Sequence, residues 1–243
     1  MTPIEAARGI AGPIGQLGGR FMMDPQTFVR GAEMGFTPGF GYYAGGRFGV
    51  LGRVDAAVVQ ASAAFISPAV VAPNWDEALR TADPVATSEH YAGVCADFGR
   101  THLADGDHLD RFVELAEAVV DGASPVAAPL FAGWRALPRP DDRQGRANLL
   151  LHLLRELRFA RHVVAVAAAG LDPVASVVGT GGEGNARMFG WQPPFPDPAD
   201  TAALRAEVEA VTDARSADDL AVLDDAGRAE LVDLVRHIQE TLS

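Results

Sequence analysis

The chain contains no lysine: all 20 of its basic residues are arginines. That absence excludes a Schiff-base lysine, a P-loop lysine and a kinase-type lysine. Cysteine is almost as scarce. A single Cys95 forbids an internal disulfide and any cage of cysteines around zinc or an iron–sulfur cluster. Long apolar runs are missing too. The longest uncharged stretch, Ala56 to Trp75, has the length of a membrane span, but Gln60, Ser67, Pro68, Pro73 and Asn74 interrupt it. The purest apolar run, Val163 to Leu171, is too short to cross a bilayer. The start, MTPIEAARGIAGPIG, lacks a basic segment followed by an apolar one and does not read as a signal peptide. A cytoplasmic protein with no membrane partner is expected. No serine sits in a G-x-S-x-G elbow, and no stretch alternates as a strand would.

What is present suits a helical core. The 243 residues are 48% hydrophobic and 21% charged, enough to bury a sizeable interior. The net charge of −12 is unevenly spread. Residues 54–134 hold three arginines against twelve acids, and residues 135–161 hold seven arginines against three. A nucleic-acid reader needs a basic face. Only the second stretch could supply one, through Arg135, Arg139, Arg143 and Arg146, so DNA binding is expected to be weak or absent. The alanine-, arginine- and glycine-rich composition suggests a GC-rich, actinobacterial coding sequence.

Capping signals divide the chain into helices. Asp24-Pro25 opens Gln26–Met34, and an apolar helix over Val54–Ile66 stops at Ser67-Pro68. Asn74 caps a short Trp75–Arg80 turn. Asp83-Pro84 opens a helix toward His102, Asp107 caps Leu109–Val120, and Ser124-Pro125 starts a helix running through Ala136. The strongest element is Gly145–Gly170, apolar on most faces and so expected to be buried nearly all round. Asp172-Pro173 opens a short helix, and residues 179–200 read as a Gly/Pro-rich loop with at most a small hairpin near 179–191. Asp200 caps Thr201–Leu223, and Asp224 and Asp225 cap Ala226–Leu242. The fold class is all-α. A division into residues 1–122 and 123–243 is expected, or one continuous domain.

The long helix carries a mixed stripe: Asn148, His152, Arg155, Phe159, His162 and Val166 fall at steps of three and four, on one face. Polar groups on a buried helix need partners. Structural hydrogen bonding, the lining of a pocket, and a metal site joining His152, Glu156 and His162 all fit; the last lacks the tight spacing of HExxH, and no metal is assigned. A second cluster, Gly39 to Gly52, sets Tyr42, Tyr43 and Arg47 among small residues that let a helix or a ligand approach. Arg47 could hold an anion or pair with an internal acid. The run Gly179 to Gly184 fits G-x-G-x-x-G literally but follows no strand, so a dinucleotide site is not expected.

Five stretches carry a resemblance: GYYAGGRFGVLG (41–52), FISPAVVAPNW (65–75), ASPVAAPLFAGWRALPRPDD (123–142), LLHLLRELRFARHVVAVAAAGLDPVASVV (150–178) and VLDDAGRAELVDLVRHIQ (222–239). Together they resemble an actinobacterial family of MarR-like helix-turn-helix proteins. The resemblance implies a helical core of winged-helix ancestry and often a homodimer, closed by a last helix through Leu231, Leu234 and Val235. The family's REHRGDGH-like pattern stands here as RELRFARH, keeping Arg155, Glu156, Arg158 and His162; Leu157 and Ala160 replace its histidine and aspartate. The functional expectation is a small-molecule-binding protein whose ligand meets Tyr42, Tyr43, Arg47, His152, Arg155 and His162. The alternatives are a DNA-binding regulator and an enzyme using the His/Arg/Glu stripe. No pattern names a cofactor or a catalytic residue. A homodimer is expected through apolar stripes at Leu204, Val208 and Val211 and at Leu231, Leu234 and Ile238.

Overall fold

A computed structural model describes residues 1–242. Among them there are helices and no strands. The α-helices are α1 (Pro3–Arg20), α2 (Pro25–Glu33), α3 (Gly41–Phe48), α4 (Ala56–Ala63), α5 (Pro68–Thr81) and α6 (Pro84–His102). They continue with α7 (Asp107–Gly122), α8 (Pro129–Arg135), α9 (Arg143–Ala169), α10 (Pro173–Met188), α11 (Ala202–Leu220) and α12 (Asp225–Thr241).

Among the described residues, seven of the twelve α-helix starts carry a side-chain cap. The side chains of Asp24, Ser67, Asp83, Asp142, Asp172 and Asp224 accept hydrogen bonds from amides of the first turn they precede. Thr2 and Glu5 form a reciprocal capping box on α1. Helix α9 ends where Gly170 turns left-handed at φ 66°, a conformation that costs glycine nothing.

Helix α9 is the axis of the molecule. Helices α1, α6, α7 and α11 pack around it, and α12 closes against α1 and α7. Leu149, Leu150, Leu151 and Leu153 are all buried, which takes neighbours on every side and explains why its apolar residues follow no single stripe. At Gly18 the axis is approached backbone to backbone: a Cβ there would lie 2.5 Å from the Leu151 carbonyl oxygen.

The uneven charge resolves into pairing across helices. Arg139 and Arg146 both reach Glu117 of α7, at 2.8 and 2.7 Å, and Arg143 reaches Asp105 and Asp110 at 2.8 Å. Further along α9, Arg158 bonds Glu209 and Asp213 of α11, and Arg161 bonds Asp219 at 2.7 Å. Arg135 donates to the carbonyls of Val120 and Ala123. The arginine-rich segment thus answers the acidic helices on either side of it. Mostly half-exposed pairs of this kind fix orientation more than they add stability.

Several sequence expectations are corrected. Helix α5 is continuous through Pro73, and Asn74 does not cap a separate turn; its side-chain amide donates to the Val70 carbonyl at 2.7 Å. The loop expected from 179 begins only after Met188: α10 runs on through the glycines, broken at Gly182 with φ 72°. The helix expected from Ser124 begins at Pro129, and Thr201 rather than Asp200 is the cap residue of α11. The stripes expected to make a dimer are mostly covered by the chain itself. Val208, Leu231 and Ile238 are buried, Leu204 and Leu234 pack on the core, and Val211 is exposed. Among the described residues no helix is long and apolar enough to cross a membrane.

Candidate functional site

Between α1, α3, α5 and the middle of α9 lies a cavity of about 400 Å³. Its apolar wall includes Phe48, Phe65, Ile66, Val71, Phe159 and Phe189. Its polar wall is made by Tyr43, Arg47 and Arg155, with Arg20 exposed beside them. A largely apolar cleft with a few converging polar groups is the usual form of a small-molecule site.

The polar wall rests on one carboxylate. Glu156 is fully buried, and Arg47 grips it with two parallel bonds, Nε to Oε1 and Nη2 to Oε2, both 3.1 Å. Arg155 adds Nη1 to Oε1 at 2.6 Å. The remaining terminal nitrogen of Arg47, Nη1, donates to the Tyr43 hydroxyl at 2.8 Å. Its guanidinium carbon lies 4.8 Å from the Phe159 ring centroid, a cation–π contact. Burial alone would raise the Glu156 carboxyl; the charges of Arg47 and Arg155 outweigh it and hold the pKa down to about 2. Burial likewise opposes the charge of Arg47, and Glu156 outweighs it, so Arg47 remains a cation.

Two groups support this wall from behind. Trp134 is fully buried and donates its indole N–H to the Arg47 carbonyl at 3.0 Å. His152 stands 4.2 Å from the Trp134 ring, centroid to centroid, and edge-on to Phe21. Its Nδ1 is 2.9 Å from the Gly18 carbonyl oxygen, which can only accept, so Nδ1 carries the proton. Nε2 then presents a lone pair with no hydrogen-bond partner, 4.0 Å from Glu156 Oε1. Burial pushes the His152 pKa down to about 4, which keeps the ring neutral at physiological pH.

In the unfolded chain His152 takes up a proton near pH 6.5, whereas in the folded one it does so only near 4. The unfolded state therefore binds more protons between those values, and stability is lost as pH falls from about 6.5 to about 4. At about 1.4 kcal/mol per pH unit, the loss is on the order of 3 kcal/mol. His152→Asn keeps a donor near the Gly18 carbonyl and removes the titration. Urea unfolding across this range should show a flatter slope for the variant; equal slopes would contradict the assignment.

Of the six residues expected at a ligand, Tyr43, Arg47 and Arg155 are brought together on the cavity wall. The other three lie outside it. Tyr42 points the opposite way, its ring against Phe36 and Tyr91 and its hydroxyl 2.7 Å from His90 Nδ1. Neighbouring residues on α3 diverge by about 100°, so Tyr42 and Tyr43 cannot share a face. His152 sits behind the wall. His162 shares a face with Arg155 but is two turns along α9, where α11 covers it; its Nδ1 is 3.0 Å from Thr212 Oγ1. The mixed stripe thus runs through several environments, and Asn148 belongs to a further one, donating to the Cys95 carbonyl at 2.7 Å. Among the described residues no three His, Cys, Asp or Glu side chains are placed to hold a metal ion together. Sequence reasoning missed Arg20 and the part played by Glu156 as the shared carboxylate. The one available signal was an acid beside Arg155 on a helix otherwise rich in arginine.

Fold and cavity together define an all-helical protein with a mainly apolar pocket backed by a buried ion pair. The chain belongs to a helix-turn-helix family, whose match covers residues 7–243. No curated protein and no solved structure matches it significantly.

Proposed function

We propose that this member of the helix-turn-helix family binds a small, mainly apolar organic molecule in the cavity between α1, α3, α5 and α9. The observation that carries the reading is the cavity itself: about 400 Å³ of space walled by aromatic and aliphatic side chains, with Tyr43 and Arg155 at one place on the wall. Its volume lies within the range of small-molecule sites. MarR-type ancestry and an actinobacterial source fit the sequence resemblance and belong to the same proposal.

Gly15 offers a clean test. It lines the cavity, and a Cβ there would meet nothing within 4 Å. Gly15→Phe adds bulk at a position where the first side-chain atom meets nothing, and it removes a helix-interior glycine, so folding stability is expected to hold or rise slightly. Titration with 8-anilinonaphthalene-1-sulfonate should give a saturable blue-shifted fluorescence in the native protein. The same signal should be largely lost in Gly15→Phe. Equal fluorescence in both would contradict the cavity as the binding site.

Direct DNA binding is the second reading, favoured by the family match. The arginines that could meet phosphates are occupied: Arg139, Arg143 and Arg146 by Glu117, Asp105 and Asp110 among other acids, and Arg135 by two carbonyls. With a net charge of −12 and no free basic run along this segment, long-range attraction to a duplex is weak. Titration of a labelled duplex at physiological salt is expected to show no sub-micromolar binding. A tight, steeply salt-dependent isotherm would favour the regulator instead.

A further inference from the structure

The chemistry of the ligand can be read one step further, on the footing that the cavity is a ligand site. One carboxylate, Glu156, is shared by two guanidiniums, Arg47 and Arg155. It neutralises one of them, so the polar wall carries one positive charge in excess. Arg47 is spent: three of its nitrogens are engaged by Glu156 and Tyr43. Arg155 is not. It gives Nη1 to Glu156 and keeps most of its donors, with about a quarter of its side chain still exposed. It lies against Gly19, where a Cβ would fall 3.0 Å from its Nε, so the bare backbone of α1 leaves room for it. The Tyr43 hydroxyl accepts from Arg47, which leaves its own proton free to donate. Arg20 adds a second cation beside the cavity and has no acidic partner among the described residues.

The excess charge at Arg155 is only partly solvated, and an anion meeting its free donors would gain charge-assisted hydrogen bonds beside the apolar wall. We infer that the ligand is an apolar molecule bearing a single anionic head group, such as a carboxylate. The head sits on the free edge of Arg155 and accepts from Tyr43, and Arg20 steers it in. The tail lies against Phe65 and Phe159. A guanidinium edge suits a planar carboxylate, which accepts two parallel bonds.

Calorimetric titration of the full chain with three molecules sharing one ten-carbon tail separates the possibilities. Decanoate is expected to bind about tenfold tighter than decanol or better, the worth of a charge-assisted bond, and decyltrimethylammonium weakest. Arg155→Met should bring decanoate down to about the affinity of decanol. Arg155→Lys, which keeps the charge, should retain a preference for decanoate if the methionine variant folds poorly. Arg20→Met should weaken decanoate several-fold and flatten its salt dependence. If decanol binds native protein as tightly as decanoate, the cavity stands as a site and the anionic head group is overturned. If none of the three binds, the cavity reading falls and the inference with it.

Discussion

Glu156→Gln is expected to destabilise the protein by about 3–5 kcal/mol, the loss seen when one partner of a buried ion pair is removed. The substitution changes little in shape. It leaves Arg47, 2% exposed, as a cation facing a second guanidinium with no carboxylate between them. Most of the cost is that of the stranded charge rather than of lost bonds. The double variant Glu156→Gln with Arg47→Met should therefore recover a large part of the loss, because it removes both the acid and the fully buried cation. Arg155, partly exposed, tolerates the change better. Urea unfolding of the two single variants and the pair gives the coupling directly. A Glu156→Gln midpoint within about 1 kcal/mol of the native protein would mean that the pair is not buried in the way described.

Trp134→Ala is expected to be of similar size, about 3–5 kcal/mol for a fully buried aromatic. Trp134 fills the space behind the polar wall, between His152 and Tyr91, and its indole N–H satisfies the Arg47 carbonyl. Removing it opens a void and orphans that carbonyl at the end of α3. Trp134→Phe separates the two effects: it keeps most of the volume and loses the bond, so the loss should be well below that of alanine. Because Arg47 is held from this side, the alanine variant should also weaken 8-anilinonaphthalene-1-sulfonate binding at temperatures where it is still folded. A loss under about 1 kcal/mol for Trp134→Ala would contradict the packing.

What could be read in the sequence follows from how local each cause is. The starts of α2, α6, α10 and α12 lie where Asp24, Asp83, Asp172 and Asp224 announce them, because a cap acts over three residues. The long α9 and its Gly170 stop were equally legible. The second half of α10 was not, because its glycines weaken helix propensity, and what holds them is distant in sequence: Arg205 of α11 donates to the Gly179 carbonyl at 2.8 Å. The same divide runs through the site. Tyr43 and Arg47, one turn apart on α3, could be grouped by spacing alone. That Arg47 would close on Glu156, 109 residues later, required the fold. Tyr42 and His162 show the opposite failure. Adjacency in sequence and a shared helix face are not adjacency in space once α11 covers one end of the face and α6 faces the other tyrosine.

The most direct test of the account is a crystal structure of the protein grown with decanoate. The cavity account predicts the tail between Phe65 and Phe159 and the carboxylate within about 3 Å of Arg155, with the Arg47–Glu156 pair unchanged behind it. A cavity closed by rearranged side chains, or decanoate bound elsewhere on the surface, would contradict it.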